Sequence, residues 1–290
     1  MCSPEIMARV RTELGHTARL SRRNVMKSAL AASALATLPL TRTAAYQATP
    51  EATPVGDGIR AAIVDLTYVM DASIPVWPGN DPFAAEAVKT HANDGFYAQA
   101  VSFWEHTGTH LDAPAHFSDG GITAEMIDIG DLFAPLAVID ISARAEDDPD
   151  TALSVDDILA YEADYGEIAA GSLVAMNSGW GSRWSDPAGF VNLDTNNVQH
   201  YPGFSPDATE FLLSQRDIVG IGVDTLSLDP GNSTDFGTHI TLLGGGKYGI
   251  ENLAHLGQLD PAGATVYVGA PKWAAASGGP SRVIGFNRAR

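Results

Sequence analysis

The fold class the sequence predicts for residues 59–290 is α/β, in a mixed α+β arrangement. Three observations lead to it. Short apolar, β-branched runs recur in strand lengths. Helical patterns with recognisable start signals lie between only some of them, so strands predominate. No second linker and no internal repeat interrupts the chain after about residue 59, and what remains is long enough for one core.

The N-terminus stands apart. Residues 21–27 read Ser-Arg-Arg-Asn-Val-Met-Lys, an apolar run follows over 28–38, and then Thr43-Ala44-Ala45. This resembles a twin-arginine export signal over residues 1–45, with a basic start, a modest apolar stretch and a small-residue cleavage site. The apolar run is shorter than the roughly 20 residues that a membrane span needs. Residues 46–58 contain Gln47-Ala-Thr-Pro-Glu-Ala-Thr-Pro54, a Pro/Thr-rich tether. The expected destination is periplasmic or extracellular.

Within the domain, buried strands are expected over 62–68, 98–104, 136–141, 173–176, 218–223, 265–268 and 282–286. Ser154 starts a helix, with Asp157 three residues on as the capping-box acid. Ser205-Pro206 starts a second, running to about Gln215, with Pro at the first helical position. Residues 248–256 are a third helical candidate.

Composition excludes several function classes. The chain has 290 residues, 45% of them hydrophobic, and one cysteine. A disulfide scaffold and a Cys-ligated zinc site are thereby ruled out. The net charge of −18 argues against a nucleic-acid surface, which needs clustered Lys and Arg. Such a field keeps the protein soluble and repels anions. It suits a high-salt environment or an ordinary acidic exported protein.

The informative segment is His106-Thr-Gly-Thr-His110-Leu-Asp112-Ala-Pro-Ala-His116. Its four ionisable residues sit at even positions, so an extended chain shows them on one face. A helix would turn Asp112 about 240° from His106 and place Pro114 in its interior. A straight strand would hold His106 and His110 roughly 13 Å apart, too far for one ion. The chain must bend, and Gly108 is where bending costs least. Pro114 then sets a second turn before His116. Two imidazoles and a carboxylate suit a borderline divalent ion such as Zn²⁺ or Mn²⁺ and leave a position for water.

This motif resembles the signature of the metal-dependent cyclase/hydrolase family, which includes bacterial kynurenine formamidase (arylformamidase) and isatin hydrolase. Further anchors are Val76-Trp77-Pro78-Gly79, the segment Asp224-Thr225-Leu-Ser227-Leu-Asp229, and the pair His239 and Glu251. The resemblance implies a swivelling β/β/α fold, a homodimer or homotetramer, and one or two divalent ions. By it, His106, His110 and Asp112 bind metal, and His239 and Glu251 join them. His116 is the general acid/base, and Trp77 stacks on a planar substrate. The implied reaction is hydrolysis of a C–N amide bond, in an N-formyl aryl amide or a cyclic amide. Ile240 and the Gly-rich 243–249 stretch depart from the formamidase pattern. A non-catalytic, metal-dependent small-molecule binder is the alternative; a retained His116 favours the enzyme.

Other residues read as structural. Asp224 and Thr225 end a strand, where α/β sites often lie. Asp229 reads as a turn residue before Pro230, and His91, His200 and His255 carry no motif. Neither Ser178 nor Ser227 has a nucleophile elbow around it.

Overall fold

The structure, a computed structural model, describes residues 62–288. The expected signal over 1–45 and linker over 46–58 lie outside the described residues. The strands are β1 (Ile63–Asp65), β2 (Ala84–Lys89), β3 (Ala98–Ser102), β4 (His110–Asp112), β5 (Phe133–Asp140), β6 (Ala152–Leu153), β7 (Leu173–Asn177), β8 (Gly203–Phe204), β9 (Gly220–Val223), β10 (Tyr248–Glu251), β11 (Ala264–Gly269), β12 (Gly278–Pro280) and β13 (Arg282–Phe286). The helices are α1 (His91–Asp94), α2 (Ser142–Asp147), α3 (Val155–Tyr165), α4 (Pro187–Val191), α5 (Pro206–Gln215) and α6 (Gly237–Gly244).

Nine strands form one mixed sheet in the order β1-β13-β11-β5-β7-β9-β10-β4-β12. Its centre, β5-β7-β9-β10, is parallel, and both flanks are antiparallel. The central strands are apolar on both faces because both are covered. Leu136, Val138, Leu173 and Ala175 point into one core. Their alternates Ala137, Ile139, Val174 and Met176 point into the other, with Ile221 and Val223. This period of two is what parallel, doubly buried strands require.

Helices α3 and α5 close the second core with Ile158, Ala208 and Leu212. Their starts follow from local chemistry. The Ser154 hydroxyl accepts from Asp157 N at 3.4 Å, and Asp157 accepts from Ser154 N at 2.7 Å. Ser205 Oγ accepts from Ala208 N at 3.1 Å, with Pro206 opening the helix.

Two expectations need correction. Residues 248–256 do not form a helix. Tyr248–Glu251 is strand β10, parallel to β9 and antiparallel to β4. Asn252, at φ +57°, then turns the chain. Sheet pairing on two sides outweighs a weak helical pattern that contains Gly249. Residues 98–104 are not buried. Their strand, β3, pairs only with β2 in a separate exposed hairpin.

Candidate metal centre and its aromatic pocket

The site is built around the short strand β4. Gly108 takes φ +66°, which bends the chain between His106 and His110 as the spacing requires. His110 and Asp112 then share one face of β4, while Leu111 enters the core at 0% exposure. In the antiparallel register Glu251 of β10 lies opposite His110, so the two side chains share that face. On the other side β12 pairs Gly278 with Asp112. A Cβ on Gly278 would lie 2.3 Å from Leu111 O and 2.7 Å from His106 Cε1, so only glycine permits this approach. His239 comes from the first turn of α6.

These residues converge on Asp112. Its Oδ1 lies 2.6 Å from His106 Nδ1 and 3.3 Å from His110 Nε2. Its Oδ2 lies 3.6 Å from His239 Nε2. Glu251 reaches His110 Nε2 at 3.4 Å and His239 Nε2 at 3.1 Å. Two overlapping triples have donor atoms close enough for one ion each: His106, His110 and Asp112, and Asp112, His239 and Glu251. Asp112 belongs to both.

The outer nitrogens are anchored. His110 Nδ1 donates to Gly108 O at 2.8 Å, and His106 Nε2 meets Ser277 Oγ at 2.9 Å, which in turn donates to Glu105 at 2.6 Å. His239 Nδ1 meets Asp229 Oδ2 at 2.6 Å. Each ring thereby presents its other nitrogen to the cluster, as metal-binding imidazoles do.

Three observations fit a divalent cation. His110 Nε2 and Asp112 Oδ2 are buried, aimed inward and without a hydrogen-bond partner, which is costly unless something binds them. Two carboxylates share a buried space, which demands positive charge. Burial alone would lower the His110 imidazole, yet Asp112 and Glu251 outweigh it and hold it up at about 9. Without a cation, the histidines carry the charge the carboxylates require.

His116 occupies the turn Pro114–His116 and belongs to neither triple. Its ring stacks on His106 at 3.7 Å between centroids. Burial pushes it down to about 4, so it is neutral at pH 7. From His116 an aromatic row leads outward: Phe117 at 4.7 Å, Phe236 at 5.4 Å from Phe117, and Trp77 at 6.1 Å from Phe236. With Trp104 these rings line a cavity of about 590 Å³ that opens over His106, His110 and His239. Among the described lining residues there is no Lys or Arg.

The model of the family named Cyclase matches residues 64–230. Isatin hydrolase from Roseibium aggregatum is 35% identical over 240 residues, which cover 77% of this chain and 90% of that protein. The chain belongs to the cyclase family. Within that family, kynurenine formamidase from Bacillus cytotoxicus is 27% identical over 195 residues, 66% of this chain and 81% of that one. The structure of isatin hydrolase A from Ralstonia solanacearum superposes with a TM-score of 0.74 at 33% identity, over 78% of this chain and 92% of that one. An isatin hydrolase bound to the product analogue thioisatinate gives 0.72 at 33% identity, over 77% and 91%. This cyclase-family hydrolase therefore has the fold its motif implied.

Six of the seven site residues expected from the sequence of this cyclase-family chain line one cavity, and the seventh, Asp112, is buried beside it, 2.6 Å from His106. Five contributors were not expected. Asp229 is not merely a turn residue: it is 1% exposed and bonded to His239. Ser277 and Glu105 back His106 from 171 and one residue away in sequence, a pairing that no local spacing announces. Phe117 and Phe236 complete the aromatic wall.

Proposed function

We propose that this chain is a metal-dependent amidohydrolase whose substrate is a neutral, planar cyclic amide of the isatin type. The observation that carries the reading is a largely buried five-residue donor cluster beside an aromatic cavity with no Lys or Arg among its described lining residues. An N-formyl aryl amide bearing an amino-acid carboxylate would find no Lys or Arg there; an uncharged ring needs none. The relatives named isatin hydrolase support the same choice.

His106, His110 and Asp112 would hold one divalent ion, Zn²⁺ or Mn²⁺ by donor type, and Asp112, His239 and Glu251 a second. Such an ion supplies Lewis-acid chemistry, lowering the pKa of water toward about 7 and polarising a carbonyl oxygen. Trp77, Phe117 and Phe236 stack the ring and exclude water from its faces. His116, neutral and at the inner end of that row, accepts the proton of the attacking water. A new C–O bond forms and the C–N bond breaks. His116 returns the proton to the departing nitrogen, leaving an amine and a carboxylic acid that gives up its proton to solvent.

The test is elemental analysis of the purified full chain, with turnover measured on isatin, formanilide and N-formylkynurenine. One or two equivalents of Zn or Mn, lost together with turnover in His110→Ala, and fastest reaction with isatin are expected. A chain that takes up no metal, or that prefers N-formylkynurenine, refutes the reading. The same proposal includes twin-arginine export, supported by the Ser21-Arg22-Arg23 segment, and assembly as a homodimer or homotetramer. A precursor carrying Arg22→Lys and Arg23→Lys should stay in the cytoplasm; unchanged export would exclude that route. Light scattering of the purified protein reads the assembly, and a monomer would contradict it.

A further inference from the structure

We infer that Asp229 is a positioning residue that fixes which nitrogen of His239 faces the cluster, and that it thereby controls the second cation subsite independently of the first. The inference rests on the metal-centre reading above. Helix α6 is preceded at its N-cap by Phe236, whose side chain supplies no cap. Asp229 takes that place from ten residues upstream of His239. Its Oδ1 accepts from Thr238 N at 2.7 Å, and its Oδ2 accepts from His239 N at 3.1 Å. The same Oδ2 lies 2.6 Å from His239 Nδ1. One buried carboxylate thus holds both the backbone and the ring of the same residue.

The chemistry leaves one arrangement. An ionised carboxylate only accepts, so Nδ1 must carry the hydrogen. Nε2 is then the nitrogen aimed at Glu251 Oε1, 3.1 Å away, and at Asp112 Oδ2, 3.6 Å away. The first triple has different anchors: the Gly108 carbonyl for His110, and Ser277 backed by Glu105 for His106. Asp229 touches neither. Replacing it should therefore disturb one subsite and spare the other. In Asp229→Asn, one acceptor becomes an NH₂ donor. If that donor faces His239, it opposes the N–H groups of the backbone and ring; if it faces Thr238, it opposes the Thr238 N–H and uncaps the helix.

The experiment is zinc titration of the metal-depleted full chain by calorimetry, for the wild type, Asp229→Asn and His239→Ala. In Asp229→Asn the first ion should bind with unchanged affinity. The second should weaken about 10–100-fold, the usual effect of losing such a partner, and His239→Ala should abolish it. Nitrogen-15 spectra of histidine in the zinc-loaded wild type should show His239 with hydrogen on Nδ1 and zinc on Nε2. Unchanged affinity for both ions, equal weakening of both, or hydrogen on Nε2 overturns the inference. The spectral readout holds even if the variant folds poorly. A wild type that binds one ion and leaves His239 free overturns this inference alone. One that binds no zinc overturns the metal-centre reading with it.

Discussion

His116 and Gly108 show how much at this site depends on single residues. His116 lies against His106 yet outside both donor triples, so its removal should not empty the site. His116→Ala is expected to keep the metal content of the wild type and to lose ~10²–10⁴-fold in kcat, the usual contribution of a general acid/base. Elemental analysis beside turnover checks this. Loss of metal would make His116 a ligand, retained turnover would exclude it as the acid/base, and a wild type without turnover, changed by the substitution only in ligand affinity, would make the chain a binder. Gly108 acts through its backbone. At φ +66° it turns the chain, and its carbonyl accepts both His110 Nδ1 and Asn252 Nδ2, at 2.8 and 2.9 Å. A bend, a ring orientation and a tie to the turn after β10 thus depend on one peptide. The bend was legible from spacing alone, because two imidazoles cannot serve one ion from a straight strand. The role of Asp229 was not, because an Asp before a Pro looks the same whether or not a histidine ten residues later folds back onto it.

Elements whose signals are local, the capped helices and the apolar central strands, were legible, and those whose form is decided by their neighbours were not. The capping box at the start of α3 is complete, and Arg144 adds a fork to Asp157 at 2.8 Å through each of two nitrogens. These donors hold the Asp157 carboxyl below its ordinary range, although burial opposes them. A depressed folded value means stabilisation that is present above the unfolded pKa near 3.9 and lost as pH falls through the folded value. Asp157→Asn should therefore cost about 0.5–2 kcal/mol at pH 7, the range for a lost cap. The difference from wild type should disappear once the wild-type carboxyl is protonated. Urea denaturation across that range reads it, and a difference that persists in acid would refute the linkage. Arg144 is 44% exposed, so solvent screens the ion pair and the cap accounts for most of the effect. By contrast, β10 reads Tyr-Gly-Ile-Glu and α6 reads Gly-Thr-His-Ile-Thr-Leu-Leu-Gly. Neither has the propensity of its final form. Both are decided by neighbours: β10 by β9 and β4, α6 by the carboxylate of Asp229 and by the core that takes Leu242 and Leu243. That Glu251 would face His110 was therefore visible only as a family resemblance until the register was known.

On the scale of the whole molecule, the site lies where the sheet changes from parallel to antiparallel, between β10 and β4. The faces on the parallel side are covered, and the short antiparallel strand beyond it places His110 and Asp112 on one face. Over this arrangement lies a net charge of −18, and the cavity itself presents no Lys or Arg among its described lining residues. An anionic ring approaching it is opposed by the long-range field and finds no Lys or Arg among the described lining residues to pair with. A neutral ring of the same shape meets the aromatic faces and the donor cluster without that opposition. The two should therefore differ in how they respond to salt. Screening shortens the range of the field from about 30 Å at 0.01 M ionic strength to about 3 Å at 1 M. KM for a ring-carboxylated analogue should be high at low salt and fall steeply as salt is added, whereas KM for the neutral parent should hardly move. Steady-state kinetics of the pair across that salt range decide it. A carboxylated analogue that binds as well as the parent at low salt would mean that a cation outside the described lining reaches the substrate. The choice of a neutral cyclic amide would then fall, while the metal centre and His116 would be unaffected.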